Sequence, residues 1–308
     1  LDLSNNQLLT RLKCNNNLLT QLDVSQNPDL ILLHCYGADL SQLDVTCNEA
    51  LQYLHCQGLP ITNLDLSNNF QLAELNCSNM QLTDLDISNN TALTHLYCDN
   101  NQLSDLDLSQ NNALYTLTCS ENQISNLDLS INISLAWLEC NINQLTNLDV
   151  SQQQSLYYLI CNGNDLNSLD IRNGGIGHGT YVDATENPNL NCIFVDDKNA
   201  YYLQYWDIDS TSVFVETEEE CNEFDIINLI ANQGILIYPN PTKQFLFFES
   251  IKSNIEYIRI SDIGGRKRLE KFKLVKDKPL DLSGLENGVY LISIQTNTEI
   301  FTSKIIKQ

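Results

Sequence analysis

The run Leu9-Thr10-Arg11-Leu12-Lys13-Cys14-Asn15-Asn16-Asn17-Leu18-Leu19-Thr20-Gln21-Leu22-Asp23-Val24-Ser25-Gln26-Asn27 decides how this chain folds. Its apolar residues fall in short alternating triplets, Leu12-Lys13-Cys14 and Leu22-Asp23-Val24, the period of two that marks a strand with one buried face. An asparagine follows each triplet, Asn17 and Asn27, so the run is two similar halves of 10 and 11 residues. The whole run then recurs. The tetrad Leu-Asp-aliphatic-Ser/Thr stands at Leu1, Leu22, Leu43, Leu64, Leu85, Leu106, Leu127 and Leu148, always 21 residues apart. A ninth copy at Leu169 ends in Arg172 instead. Cysteine keeps the same step at Cys14, Cys35, Cys56, Cys77, Cys98, Cys119, Cys140 and Cys161.

One such coil cannot bury its apolar face alone, so neighbouring coils must stack and share a continuous core. In-register rungs about 4.8 Å apart turn each sequence position into a column along the stack. Asn17, Asn101, Asn122, Asn143 and Asn164 form one column, and Asn6, Asn27, Asn48, Asn69, Asn90, Asn111 and Asn132 another. Amide side chains at turns satisfy backbone groups that an irregular coil leaves unpaired, so both columns read as structural. The Asp column, Asp2 to Asp170, sets like charges in register, which repel unless hydrogen-bonded, protonated or bound to cations.

Comparing the copies separates what the coil demands from what it leaves free. Before the central Leu the column reads Arg11, Leu32, Tyr53, Glu74, His95, Thr116, Trp137, Tyr158. After it come Lys13, His34, His55, Asn76, Tyr97, Thr118, Glu139, Ile160, and beyond the cysteine Asn15, Tyr36, Gln57, Ser78, Asp99, Ser120, Asn141, Asn162. These positions are variable, aromatic and rich in histidine, the composition of a recognition surface. The expected ligand face comprises His34, Tyr36, Tyr53, His55, Glu74, His95, Tyr97, Asp99, Trp137 and Tyr158. Strand propensity for Tyr, Trp and Thr is the plainer explanation of the same residues. His34 and His55, one rung apart with Glu74 close by, lack a third ligand or an orienting partner, so neither a metal site nor an acid–base pair is expected there.

The eight column cysteines are expected to be buried thiols in a leucine slot: no two are three apart, and stacked neighbours point the same way. Cys47, in a turn, has no evident role. Cys192 and Cys221 flank a segment just beyond the repeats, and a bridge between them would close about 30 residues over an open apolar edge, in an oxidising compartment. The expected matching Asp after Asp170 is Asp183, across a Gly-rich loop.

The charge of the 308-residue chain is −23, but unevenly spread: residues 1–172 carry 3 basic and 19 acidic side chains, 173–234 carry 1 and 12, and 235–308 carry 12 and 8. The balance argues against nucleic acid or an anionic membrane as partner. No apolar run approaches the roughly 20 residues of a membrane span. Neither a nucleophile elbow, a paired-histidine zinc helix nor a phosphate-cradling glycine loop is present, so no catalytic residue, metal or cofactor is expected. Leu1 falls in mid-pattern, which leads us to expect an N-terminal piece that precedes it.

The pattern L-x-x-L-x-(L/C)-x-x-N-x-L over residues 1 to about 172 resembles the short nested leucine-rich repeat of bacterial surface proteins. Residues 187–216 resemble the C-terminal cap of such solenoids. In the tail, Tyr238-Pro239-Asn240-Pro241, Ile260-Ser261-Asp262-Ile263-Gly264-Gly265-Arg266, Leu282 to Tyr290 including Gly288, and Lys304-Ile305-Ile306-Lys307 resemble the sorting domain of the type IX (Por) secretion system of Bacteroidota. That resemblance implies export across the outer membrane by the type IX machinery, then release or surface anchoring. The expected architecture is mainly β with few helices. A leucine-rich-repeat solenoid occupies 1–172, a cap and linker 173–234, and a small antiparallel Ig-like sandwich 235–308. The expected function is binding of a protein or glycan outside the cell. The alternatives are an accessory part of a larger secreted hydrolase, or a structural surface protein bridged by cations along the Asp column.

Overall fold

The computed structural model describes residues 1–174, 180–222, 235–238, 242–250, 255–272, 279–296 and 300–307, which form two compact units, Leu1–Thr217 and Glu218–Gln308.

The first unit is a parallel solenoid. Its long sheet has nine strands of three residues each: β1 (Arg11–Lys13), β2 (Leu32–His34), β3 (Tyr53–His55), β4 (Glu74–Asn76), β5 (His95–Tyr97), β6 (Thr116–Thr118), β7 (Trp137–Glu139), β9 (Tyr158–Ile160) and β11 (Tyr181–Asp183). Neighbours pair in parallel with a shift of one repeat, Leu12 opposite Leu33 and Leu33 opposite Leu54. The Leu-Asp-aliphatic half of the coil forms strands only near the C-terminal end, in a four-stranded sheet of β8 (Asn147–Asp149), β10 (Ser168–Asp170), β12 (Cys192–Phe194) and β13 (Val213–Val215). One continuous apolar core runs through the coil interiors from Leu3 to Trp206 and includes the eight column cysteines, of which seven are fully buried and Cys14 nearly so.

Two amide columns hold the coils apart and together. Asn48 Nδ2 donates to the carbonyls of Val24 and Asn27 one coil earlier, at 3.0 and 2.9 Å, and Asn69, Asn90 and Asn111 repeat the arrangement. Gln153 takes over this column where Asn would fall, and Asn173 reaches back to its carbonyl. In the second column Asn122 Nδ2 bonds Cys98, Cys119 and Ser120 carbonyls while its Oδ1 accepts the Leu103 N–H at 3.0 Å. Two residues past the cysteine slot the chain turns through a left-handed residue in every described coil, Asn16, Gly37, Gly58, Asn79, Asn100, Glu121, Ile142, Gly163 and Glu186, with φ between 50° and 76°. Asn and Gly tolerate that conformation, whereas a β-branched residue such as Ile142 does so at a cost.

Asp183 departs from the expected frame. It stands in the long sheet opposite Ile160, and the partner of Asp170 is Phe194. The reason lies in Tyr181-Val182-Asp183-Ala184, where fully buried Val182 and Ala184 fill the Leu and Cys slots of one more coil of the long sheet. Asn187 then serves as the Asn column residue, accepting from Leu166 N–H and donating to Cys161 O. Both sheets therefore run on past residue 172, with β13 as a further rung after β12. A 3₁₀ turn over Tyr201–Tyr205 brings Trp206 and Leu203 onto the core. Cys192 and Cys221 are disulfide-bonded, while the other nine cysteines are free thiols, with Cys47 exposed and eight buried.

The second unit holds a three-stranded antiparallel sheet, β14 (Ile235–Tyr238), β15 (Phe245–Ser250) and β18 (Leu280–Asp281), and a four-stranded one in the order β17 (Lys267–Phe272), β16 (Ile255–Asp262), β19 (Gly288–Thr296), β20 (Ile300–Lys307). Leu246, Ile258, Ile260, Leu280, Leu282, Tyr290, Ile292, Ile294 and Ile305 form its core. Tyr290 anchors the preceding turn through its hydroxyl, which donates to the Glu286 carbonyl at 2.8 Å. Gly265 occupies a tight turn at φ 81°, and Lys304 is an exposed residue of β20; Pro239, Asn240 and Pro241 fall outside the described residues.

Candidate functional site: the exposed face of the long sheet

Because each strand is three residues long, its middle Leu points inward and the two flanking side chains point outward. The flanking positions of nine strands thus form two adjacent columns of a continuous outer surface. In-register stacking brings side chains of successive coils into contact.

At the N-terminal end Lys13, His34 and His55 share one column. The imidazoles of His34 and His55 lie parallel, 4.2 Å apart with planes 1° from coincidence, and Tyr36 tilts against His34 at 6.3 Å. His55 Nε2 donates to Glu74 Oε1 at 2.7 Å. Partial burial, and next the neighbouring His55 and Lys13, hold His34 below the ordinary imidazole value, while Glu74 pulls the other way. Tyr53, on the outer column, is 38% exposed.

The middle of the face is more self-contained. His95 Nδ1 meets the Thr94 hydroxyl at 2.9 Å and faces Tyr115 at 6.1 Å. The Tyr97 phenol is half-buried, and burial, with Glu74 adding to it, pushes its pKa up. Asp99 is occupied: it accepts the Ser120 N–H at 2.9 Å and the hydroxyls of Thr118 and Ser78 at 2.5 and 3.2 Å. It ties coils together, so its place in the expected ligand face is explained by the scaffold. Thr116 and Thr118 are buried, Thr116 between His95 and Trp137 and Thr118 between Tyr97 and Glu139.

Toward the C-terminal end Trp137 and Tyr158 stack at 3.9 Å, with Tyr157 edge-on at 5.9 Å and Tyr181 tilted against Tyr158 at 5.6 Å. Trp137 Nε1 donates to Glu139 and the Tyr181 hydroxyl to Asp207, each at 2.7 Å. The latter bond, with Asp183 close by, pushes the Tyr181 phenol up to about 12. Tyr115 and Tyr157, 44% and 41% exposed, and Tyr181 join the face although the alternation did not mark them. The first two sit at strand entry, one place before the alternating triplet, where a period-two reading assigns them inward. Tyr181 lies beyond the 21-residue step.

The invariant aspartates do not belong to this face. Each accepts the backbone N–H two residues on, as Asp65 does from Ser67 and Asp107 from Ser109, at 3.0 and 2.8 Å. The serine hydroxyl and N–H hold the Asp65 and Asp107 carboxyls below the usual carboxylate range. Turn closure thereby accounts for the constancy of the column. Among the described residues no group of three or more His, Cys, Asp or Glu is placed to hold a metal ion, and no helix is long and apolar enough to cross a membrane.

Residues 236–308 match the family described as the secretion system C-terminal sorting domain. No curated protein matches the chain. Among solved structures, the functional domain of InlJ from Listeria monocytogenes, described as including a cysteine ladder, superposes with a TM-score of 0.53 at 23% identity, covering 100% of this chain and 83% of that one. Internalin C2 from Listeria monocytogenes str. 4b F2365 gives 0.50 at 19% identity over 60% of this chain and 80% of its own. These similarities concern the fold, and none of them indicates a catalytic family. The chain is thus a leucine-rich-repeat solenoid with a type IX sorting domain at its C-terminus, a protein exported to the cell surface or the surroundings.

Proposed function

We propose that the exposed face of the long sheet binds a macromolecular ligand outside the cell, a protein or a glycan, in the manner of an adhesin. One observation carries this reading: coil by coil, the core Leu and Cys and the turn-closing Asp are held nearly constant, while the outward flanks of the strands change. Those flanks, with Tyr115 and Tyr157 at strand entry, gather Tyr53, Trp137, Tyr158 and Tyr181 on one rigid surface. A side chain that packing does not demand and that leaves aromatic area in water is the material of a binding hot spot. A scaffold of stacked strands fixes such groups without ordering cost on binding.

The test is a binding screen of the full chain against purified extracellular proteins and polysaccharides, beside a variant with Tyr53, His55, Tyr97 and Trp137 changed to Ala. We expect binding that the variant loses by a hundredfold or more, about 3 kcal/mol at aromatic anchors. Hits that the variant keeps would place the function elsewhere on the molecule.

A further inference from the structure

Positive charge is nearly absent from the solenoid. Residues 1–172 contain only Arg11, Lys13 and Arg172 as basic side chains against 19 acidic ones. Arg172 is committed to Asp170. Arg11 and Lys13 both stand on β1, exposed, with no ion pair among the described residues. They open a row that continues through His34 and His55, so two fixed cations and two stacked imidazoles share one end of the ligand face.

The groups that face His34 from the strands against it are Arg11 and Lys13 on β1 and Tyr53 and His55 on β3, and Glu74 on β4 reaches His55. Adding protons to this row sets like charges at ring-stacking distance, a cost that a bound anion would offset. At neutral pH the fixed charges are Arg11, Lys13 and Glu74, and each imidazole that protonates adds one more positive charge.

We propose that strands β1 to β3 bind an anionic group carried on a sugar, a sulfate or a carboxylate of an acidic glycan, and bind it more tightly as the pH falls through the histidine range. The proposal rests on the sheet face being the working surface and assigns the chemistry of one end. An acidic glycan fits better than an acidic protein. A stable protein interface covers about 800 Å² per partner. A patch of that size would extend over Glu74 and Asp99 on the same face, where an acidic protein is repelled. A single charged sugar lies within the row, beside the rings of Tyr36 and Tyr53.

The histidines themselves are local reporters, since the chain has four, His34, His55, His95 and His178, and none lies in the lysine-rich tail that would also attract polyanions. We would follow their ring signals by NMR in the full chain between pH 5 and 8, adding dextran sulfate, polygalacturonate or uncharged dextran, with inorganic sulfate as a separate arm. The expected result is that both charged polymers move the His34 and His55 signals and raise their titration midpoints by about one pH unit, leaving His95 and His178 in place. The R11Q/K13Q variant should lose most of that shift. Polymers that leave His34 and His55 unmoved, or a shift unchanged in R11Q/K13Q, would overturn the proposal. A response to inorganic sulfate equal to that of the polymers would reduce it to simple anion binding and remove the glycan. If the row fails while the aromatic variant above still loses its ligand, the face remains the working surface and only this assignment falls.

Discussion

The two asparagine columns differ in what they carry, and that difference predicts unequal losses from the same substitution. Asn111 is fully buried and its Nδ2 donates to the carbonyls of Ile87 and Asn90 at 3.1 and 3.0 Å. Both carbonyls already accept a turn N–H, from Asn90 and Leu93, and the Asn111 Oδ1 has no partner at all. Removing the amide in Asn111→Ala costs two second hydrogen bonds at about 1 kcal/mol each, eased by the loss of a buried unpaired oxygen. We expect a destabilisation of roughly 1–2 kcal/mol. Asn122 Oδ1 instead takes the N–H of fully buried Leu103, for which no other acceptor is present in the coil. Asn122→Ala loses comparable donor bonds and strands that N–H, adding a desolvation penalty of about 1–3 kcal/mol. Its total should reach roughly 3–4 kcal/mol. Urea unfolding followed by tryptophan fluorescence measures this cleanly, because both tryptophans, Trp137 and Trp206, lie in the solenoid. Equal losses, or a larger one at Asn111, would refute the assignment of roles to the two columns.

Thiol titration of the native chain should give one fast-reacting group, Cys47, then nine after denaturation and eleven only after reduction; burial, which pushes thiols such as Cys35 up to about 12, keeps the other eight silent. Ile142→Gly, at φ 53° and half exposed, should stabilise the solenoid by about 1 kcal/mol in the same urea assay, where Gly163→Ala, which sets a Cβ against Ile142, should destabilise it. Asp65, Asp86 and Asp107 titrate below their unfolded values, so their contribution is present above the ordinary carboxylate pKa and is lost as the pH falls through the lowered one; the thermal midpoint of the solenoid should therefore decline below about pH 4, and less steeply in an Asp65→Asn/Asp86→Asn/Asp107→Asn variant.

The fold was legible because the coil repeats its demands: a core Leu, a buried Cys, an Asn at most turns and an Asp that closes the next one all recur at one spacing. What escaped the reading lies where the spacing changes. Residues 181–184 carry a strand whose Cys slot is filled by Ala184 and whose distance from the previous one is longer than 21, so a frame built on Asp mispaired Asp183. Strand β17, Lys-Arg-Leu-Glu-Lys-Phe, carries charged residues that hide its alternation in the sequence. Histidine and aromatic contacts on the face followed directly from register: His34, His55 and Glu74 came together as their spacing required. Tyr115 and Tyr157 did not, since a strand of three residues gives alternation too little length to mark where the outer face begins. The bonds Asp99 accepts from Ser78, Thr118 and Ser120 were not legible either, since they join side chains of neighbouring coils at positions that vary from copy to copy.

The claim that one face of the long sheet does the work and the remaining circumference is support has a direct test. Hydroxyl-radical footprinting of the full chain, alone and with a ligand from the binding screen, reads side-chain exposure at known positions. Tyr53, Tyr115 and Tyr157 are exposed on the strand face, and Phe70 and Ile133, 53% and 60% exposed, lie in turns away from those strands. The account predicts that ligand protects the three tyrosines and leaves Phe70 and Ile133 as reactive as before. Protection of Phe70 and Ile133 with the tyrosines untouched would contradict it.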